Sequence, residues 1–257
     1  MSPRNWILIV AILIGAVAAF MFFSSPDEEP VSEPVAVPAP APKPPKVEPP
    51  PASPVAPEPE PAPIVLPPLD ASDDFVRERA ASISSSDTIA RALETDQLVR
   101  KLTTVVENLA VGGVARDPVA VFAPKEKFSV VREGDRLYMN PDAYRRFDGV
   151  AAIVETLDAQ QAVAMVHLIE PLMADAYREL GVQDVDVDER LKAGIDVLLA
   201  TPEVNGDIEL KQPSVMYEFA DPRLQALLPA QKVLIRMGPA NAAKVRARLR
   251  EMRALLD

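Results

Sequence analysis

The distribution of hydrophobic positions divides the chain into three segments. Residues 6–23 are an apolar run without a charged side chain, and proline with small or charged residues dominates positions 24–68. From residue 69 onward, apolar side chains recur at intervals of three and four, the spacing that places them on one face of a helix. The pattern predicts a transmembrane anchor at 1–23, a disordered Pro-rich linker at 24–68 and a mostly helical globular domain at 69–257.

The N-terminal apolar run has the length of a membrane span. As a helix it extends about 27 Å, close to the hydrocarbon thickness of a bilayer. Arg4 precedes the run and acidic residues follow it at 27–29, so we expect the N-terminus on the cytoplasmic side and the rest of the chain outside it. A cleaved signal peptide is the alternative, because Ala16-Val17-Ala18 fits the small-residue pattern of a cleavage site.

The linker contains most of the 28 prolines of the chain. Proline fixes φ and removes a backbone donor, so the segment is predicted to favour polyproline II conformations with a reach of roughly 140 Å. We interpret it as a tether whose length matters. An inert spacer and a docking segment for a Pro-recognising module remain alternatives.

Start and stop signals divide the globular domain into its elements. Helices are predicted at about 70–83, 87–93, 98–111, 141–157, 158–180, 188–200, 222–228, 229–237 and 239–256. The pairs 128–131 and 136–139 flank Glu133-Gly134-Asp135 and predict a β-hairpin, and 208–219 is expected to contain short extended pieces. The predicted fold class is mainly α, a multi-helix domain with one small β-hairpin.

Composition excludes several kinds of chemistry. The chain has no Cys and one His, so thiolate sites, disulfides and the common zinc sites lack their ligands. Its net charge of −11 argues against nucleic acid as a partner. We predict no bound metal and no cofactor.

The candidates for catalysis are weak. His167 has no Gly-x-Ser-x-Gly motif to serve, and we expect it to be a structural histidine at the edge of the core, hydrogen-bonded to a carbonyl freed near Pro171. Glu170 is the residue that a cell-wall hydrolase would use as its acid, but the domain is poor in aromatic residues for sugar stacking. We therefore predict that the protein is not an enzyme.

An acidic group at 184–189 resembles the beginning of a calcium loop. Counted from Asp184, the sixth and twelfth positions of such a loop are Glu189 and Ile195 instead of Gly and Glu, so the pattern fails. Asp186 or Asp188 is interpreted as a helix cap instead.

The last predicted helix combines an apolar stripe with basic edges. The stripe consists of Ala242, Val245, Leu249, Met252 and Leu256, and the edges contain Lys244, Arg246, Arg248, Arg250 and Arg253. Basic edges are typical of a docking surface for an acidic partner or anionic lipid. The alternative is a helix that lies on the acidic body of its own chain.

Several separated motifs of the domain resemble a known family. Among them are residues 66–73, 140–144, 177–181, 198–204, 217–222 and 236–241. They resemble the domain of unknown function 3014, found chiefly in Gram-negative bacteria. The resemblance implies a membrane-anchored envelope protein. With the orientation that the flanking charges predict, we expect a single-pass protein of the bacterial inner membrane with its globular domain in the periplasm. It implies no activity and no site residues. Some members resemble lipoproteins, whereas this chain has no Cys to acylate.

Together these observations predict a non-catalytic binding or scaffold module held away from the inner membrane by the spacer. We expect an envelope protein as its partner, with peptidoglycan as a second candidate and no nucleic acid. The predicted docking surface consists of Tyr217, Phe219, Arg236, Asn241, Lys244, Arg246, Arg248, Arg250 and Arg253. The alternatives are a cell-wall-active enzyme and a TonB-like energy-coupling protein, since the Glu-Pro and Lys-Pro linker resembles that of TonB-type proteins.

Overall fold

The computed structural model describes residues 64–81 and 87–257. The helices that it contains follow the helical periodicity of the sequence. The predicted anchor and most of the predicted linker lie outside these residues. Along the described stretches, no helix is long and apolar enough to span a bilayer. From Leu66 onward, the described residues belong to one compact unit.

The described part of the chain contains nine α-helices and four β-strands, which confirms the mainly α fold class. The helices are α1 (Ser72–Ala81), α2 (Asp87–Leu93), α3 (Leu98–Ala110), α4 (Asp148–Thr156), α5 (Ala159–Glu179), α6 (Val187–Leu199), α7 (Pro222–Gln225), α8 (Pro229–Arg236) and α9 (Pro239–Leu255). The strands are β1 (Val130–Glu133), β2 (Arg136–Met139), β3 (Glu209–Lys211) and β4 (Glu218–Phe219). Three 3₁₀ turns cover Leu69–Ala71, Asp117–Phe122 and Pro141–Phe147.

Apolar stripes on the helices meet in one main core. Helix α3 packs against α6 and α5, and α9 packs against α4, α5 and α6. The predicted stripe of α9 is buried along its whole length, as are Phe147, Val150, Val154 and Leu157 along α4. Burial of these stripes supplies the main stabilisation of the helices, because isolated helices of this length are marginal in water.

A second, smaller core lies beneath the sheet. The four strands are antiparallel in the order β1-β2-β3-β4, with Leu137 opposite Leu210 and Leu210 opposite Phe219. These side chains share one face of the sheet and pack with Met139, Ile208 and Ile235. The predicted hairpin is therefore confirmed as β1 and β2, and the extended pieces expected at 208–219 extend it to four strands.

Two helix boundaries differ from the sequence prediction for local steric reasons. The helix predicted at 222–228 ends at Gln225, and Leu228 is extended with φ −60° and ψ 149° because it precedes Pro229. The helix predicted at 141–157 begins as a 3₁₀ turn and becomes α-helical at Asp148. Its predicted cap is present, since the Asn140 side chain accepts from the backbone N–H of Asp142 at 3.0 Å.

Carboxylates cap the two long central helices where the sequence predicts them. Asp158 accepts from the backbone N–H of Gln161 at 3.1 Å, and Asp186 accepts from that of Glu189 at 2.9 Å. Each bond satisfies one of the free N–H groups of a first helical turn. Pro171 lies inside α5 without ending it.

The beginning of the domain is fastened to the helical body by charged side chains. Arg100 on α3 binds both carboxylate oxygens of Glu179 at 2.6 and 2.7 Å and also Asp70 at 2.6 Å. Asp73 on α1 accepts from the backbone N–H groups of Gln97 and Leu98 at 2.6 and 2.8 Å. Asp73 therefore caps α3 from a neighbouring helix, whereas the sequence predicted caps only for their own helices.

Candidate functional site

Two arginines and three aromatic rings meet beside the sheet, and we call this group the arginine–aromatic cluster. It consists of Phe128 just before β1, Arg146 in the 3₁₀ turn Pro141–Phe147, Tyr217 and Phe219 at β4, and Arg236 at the end of α8. Pairing of β1 through β4 brings the first and last strands to α8, since Ile235 packs into the core beneath the sheet. Residues more than a hundred positions apart therefore share one site.

The rings hold Arg146 in a fixed place. Its guanidinium carbon lies 4.9 Å from the centre of the Phe128 ring and 5.0 Å from that of Phe147. The Phe128 ring in turn packs against Tyr217 with their centres 5.5 Å apart and their planes tilted by 57°. Cation–π contacts of this kind contribute about 0.5–2 kcal/mol each, more where water is excluded.

Arg236 is held from two directions. Its Nη2 donates to the backbone carbonyl oxygen of Tyr217 at 3.1 Å, and its guanidinium carbon lies 5.0 Å from the centre of the buried Phe219 ring. The arginine thus joins the end of α8 to the strand β4. The Phe219 ring that contacts Arg236 is itself fully buried.

Positive charge is crowded in the arginine–aromatic cluster. Burial lowers the pKa of Arg236 to about 10, and burial together with the charge of Arg236 lowers the pKa of Arg146 to about 9. Lys232, one turn before Arg236 on α8, has its pKa lowered by burial and by the same arginine. Both arginines remain charged at neutral pH, since these pKa values lie above 7.

An apolar loop borders the cluster. Val215 and Met216 precede Tyr217 in the loop between β3 and β4, and they are 74% and 41% exposed. Arginine, tyrosine and methionine are enriched in the centres of protein interfaces, where lysine and glutamate are depleted. The site thus combines two guanidinium groups with exposed apolar side chains that precede Tyr217 in the chain.

Three residues of the predicted docking surface lie in the interior instead. Phe219 is 0%, Asn241 is 6% and Arg246 is 6% exposed. The Asn241 amide nitrogen lies 2.9 Å from Asp148 Oδ1, and Arg246 Nη2 donates to the carbonyl oxygens of Thr201 and Pro202 at 3.0 and 3.2 Å. Helical periodicity placed Arg246 at the edge of the stripe, but the segment after α6 covers that edge. These side chains join elements and offer no surface.

Three of the remaining basic residues of α9 contact carboxylates of their own chain. Lys244 binds Glu155 at 2.6 Å, Arg248 pairs with Glu251 and donates to the Glu155 carbonyl, and Arg253 binds Asp196 at 3.0 Å. Arg250 is exposed. This arrangement agrees with the alternative in which α9 lies on the acidic body of the chain.

The side chains considered for catalysis lie on the surface of α5. His167 is exposed on α5, and its Nε2 lies 3.1 Å from Asp188 Oδ2 on α6. Its partner is therefore a carboxylate of the next helix and not the carbonyl expected near Pro171, because α5 and α6 pack side by side. Glu170 is exposed on α5. Among the described residues, no group of His, Cys, Asp or Glu is arranged to bind a metal ion.

The fold defines a mainly α domain with a small antiparallel sheet. The chain matches the family model described as Protein of unknown function (DUF3014) over residues 98–253, and it belongs to that family. The match extends from α3 into α9 and includes the whole arginine–aromatic cluster. Neither the curated proteins nor the solved structures contain a match to the chain.

The cluster could be found only in part from the sequence. Tyr217, Phe219 and Arg236 lie in motifs that indicated a surface of interest, and all three belong to the cluster. Phe128 and Arg146 were missed, because their only local signals are those of a strand and of a short helix. Their proximity depends on the pairing of β1 with β2 and on the turn that follows.

Proposed function

We propose that this chain is a membrane-tethered protein of the bacterial envelope whose helical domain is a non-catalytic binding or scaffold module. The apolar run at 6–23 serves as the inner-membrane anchor, and the Pro-rich segment holds the domain away in the periplasm. Membership of the family and the order of the three segments support this proposal.

The observation that carries the proposed binding role is the arginine–aromatic cluster with its apolar border. Guanidinium groups remain protonated at physiological pH and so do not serve as general acids or bases. They do bind oxyanions through paired N–H groups, and their contacts with rings pre-orient them for it. Arg146 and Arg236 therefore favour recognition over proton transfer.

The proposal is tested by cross-linking in intact cells. The full-length protein is compared with a variant that lacks residues 69–257 and keeps the anchor and the linker, and captured proteins are identified by mass spectrometry. We expect an envelope protein that is captured only by the full-length chain. Equal captures by the two proteins would contradict a binding role for the domain.

A second pair of variants separates binding from catalysis. His167→Ala and Glu170→Gln alter the two residues on which an enzyme mechanism would depend, and both side chains are exposed. We expect capture and cellular function to be unchanged in both variants. Loss of function with retained folding and retained capture would favour the cell-wall-active enzyme.

A further inference from the structure

The two edges of the sheet differ in how their backbone groups are used. At β4, the backbone N–H of Phe219 donates to the side-chain oxygen of Gln225 at 3.1 Å, and the carbonyl of Tyr217 accepts from Arg236 at 3.1 Å. Side chains of α7 and α8 therefore cover this edge. Strand β1 forms the opposite edge, and β2 is the one described strand with which it pairs.

The register of the hairpin shows which groups of β1 point to the open edge. Hydrogen-bonded and non-hydrogen-bonded pairs alternate along two antiparallel strands. The backbone N–H of Asn140 donates to the carbonyl of Ser129 at 3.3 Å, so every second residue from Ser129 onward bonds to β2. The N–H and C=O groups of the residues between them, Val130 and Arg132, point away from β2.

These outward groups are available for pairing. Within the described stretches of the chain, no backbone or side-chain group bonds to the N–H or C=O of Val130 or Arg132. The strand contains neither proline nor a bulge, and the Val131 side chain on its outer face is 37% exposed. An uncovered edge of this kind is a template for an additional strand.

The charges beside the open edge indicate what the additional strand is. Residues 127–135 carry two cations, Lys127 and Arg132, and two anions, Glu133 and Asp135, so this segment is neutral although the chain has a net charge of −11. When two such segments run antiparallel, the basic start of one lies beside the acidic end of the other. A second copy of the chain is therefore charge-complementary to this edge, whereas a strongly acidic or basic peptide is not.

We propose that β1 pairs antiparallel with β1 of a second copy, so that two four-stranded sheets join across a two-fold axis. The axis passes beside Val131, which faces its own counterpart, and Val130 pairs with Arg132 of the second copy. This register uses both outward residues of β1 and forms about four main-chain hydrogen bonds. A shift by one residue would turn the bonding groups away, and a shift by two toward the turn would place Arg132 opposite itself.

The contact is small, and this sets the conditions in which the dimer forms. One pair of four-residue strands buries much less than the roughly 1,600 Å² of a standard interface, so we expect a weak dimer in dilute solution. Two chains anchored in the same membrane, as in the proposed function, meet at a higher effective concentration. The inference goes beyond that function, because the dimer would present two copies of every binding surface of the domain.

The two-fold axis allows a test by charge exchange. Two differently tagged copies of the full-length protein are produced in the same cells, and recovery of the second tag with the first is measured. Val131→Lys in both copies, or Val131→Glu in both, places like charges opposite each other and should reduce recovery by about fivefold. One copy with Val131→Lys and the other with Val131→Glu should restore it.

The matched control for charge exchange is Val215, which is 74% exposed in the loop between β3 and β4. The same substitutions at Val215 should leave recovery unchanged, and thermal unfolding of every variant verifies the fold. Equal recovery for all combinations at Val131, or a mixed pair that recovers no better than the like-charged pairs, would overturn the proposal.

Disulfide formation tests the distance at the axis. The chain has no Cys, so a single introduced Cys can pair only with another molecule. Facing residues of a non-hydrogen-bonded pair have Cα atoms about 4.5 Å apart, which a disulfide spans. Purified full-length Val131→Cys in detergent should form a covalent dimer on oxidation. The more exposed Val215→Cys should give about fivefold less, and equal yields would contradict pairing at β1.

A pair of further variants tests the register. In the proposed register Ser129 faces Glu133 of the second copy, while the two copies of Ser129 lie roughly 13 Å apart along the strands. A mixture of Ser129→Cys and Glu133→Cys should therefore form disulfide-linked dimers, and each variant alone should not. Dimers of either variant alone in equal yield would overturn the register and with it the two-fold axis at Val131.

A photo-reactive amino acid at Arg132 in intact cells distinguishes the possible occupants of the edge. We expect a cross-link to a second copy of the chain. A cross-link to residues 24–63 of the same chain, or to a different protein, in place of the dimer would overturn the inference. Either result leaves the proposed binding module intact, because that proposal is tested by partner capture that depends on residues 69–257.

Discussion

Gly238 lies directly against the ring of Tyr144. A Cβ atom at Gly238 would lie 2.4 Å from Tyr144 Cγ. The glycine also has φ 81° and ψ 161°, a backbone conformation that residues other than glycine rarely adopt. The glycine ends α8 and starts α9, so this close approach sets the angle between the helix that supports Arg236 and the last helix of the main core.

Substitution at this glycine should therefore destabilise the domain. We expect Gly238→Ala to lower the free energy of unfolding by about 2–4 kcal/mol, the sum of backbone strain and overpacking against the ring. Gly206→Ala is the matched control: Gly206 has φ 86°, but nothing lies within 4 Å of its Cβ position. The Gly206→Ala variant should therefore lose only the part of the free energy of unfolding that comes from backbone strain. Urea unfolding of both variants measures the difference, and equal losses would mean that the contact with Tyr144 contributes nothing.

The cap that Asp73 provides to α3 gives a second prediction. Asp73→Ala removes the acceptor for two backbone N–H groups and should cost about 1–2 kcal/mol. Asp74→Ala, the neighbouring residue, removes only an exposed ion pair with Arg77 and should cost about 0.5 kcal/mol or less. Urea unfolding tests both. A loss for Asp74→Ala as large as that for Asp73→Ala would contradict the capping role.

The pairing of Glu179 with Arg100 predicts a pH dependence of stability. Hydrogen bonds from the Arg100 side chain lower the pKa of Glu179 below its ordinary value of 4.5. Because the pKa is lower in the folded state, the pair stabilises the fold fully above about pH 4.5, and the contribution is lost as the pH falls through the folded pKa.

Glu179→Gln measures this contribution. The difference in urea midpoint between the wild type and this variant should be constant near neutral pH and should narrow as the pH falls below 4.5. In an Arg100→Gln background the same substitution should give a smaller, pH-independent difference. Identical pH profiles in the two backgrounds would show that Arg100 does not act on Glu179.

Arg246 tests whether a buried cation joins α9 to the segment after α6. Arg246→Met keeps much of the aliphatic stem and removes the donor to the carbonyls of Thr201 and Pro202, so we expect a loss of about 1.5–3 kcal/mol. Arg250→Met, on the exposed side of the same helix, should change stability by about 0.5 kcal/mol or less. Chemical denaturation distinguishes this role from a docking role, in which binding would change and stability would not.

The tether hypothesis predicts that the reach of the linker matters. A flexible Gly/Ser segment of equal length has an end-to-end distance of roughly 40 Å, against roughly 140 Å for an extended polyproline segment. Deleting half of the linker, or replacing it by Gly/Ser, should reduce capture of a partner in cells. A Pro-rich segment of equal length and scrambled sequence is the control. Equal capture by all these variants would favour an inert spacer.

The sequence predicts the features that depend on neighbouring residues. Asp158 and Asp186 cap helices that begin beside them, and the period of α9 correctly separates buried from exposed positions apart from Asn241 and Arg246. Such signals are strong because both partners lie within one or two turns of chain.

What the sequence could not predict depends on how distant elements pack. Asp73 caps a helix that starts 25 residues later, and Arg246 is buried because residues 201–202 cross its side of α9. Whether an arginine at the edge of an apolar stripe is exposed depends on which distant residues pack against it, and the helical period of a single sequence does not predict those residues. The arginine–aromatic cluster was incomplete in the sequence for the same reason.

The clamp of Arg100 on Asp70 and Glu179 has a mechanical consequence. If the Pro-rich segment is the tether that we propose, a pull along it reaches the domain near these contacts, with the cap of Asp73 beside them, on the α3 and α5 side of the fold. The load is then borne across the long helices of the main core. The sheet and its ring-bound arginines take no part in these contacts, so in the tethered protein that we propose they are separate from the point where the linker joins the domain.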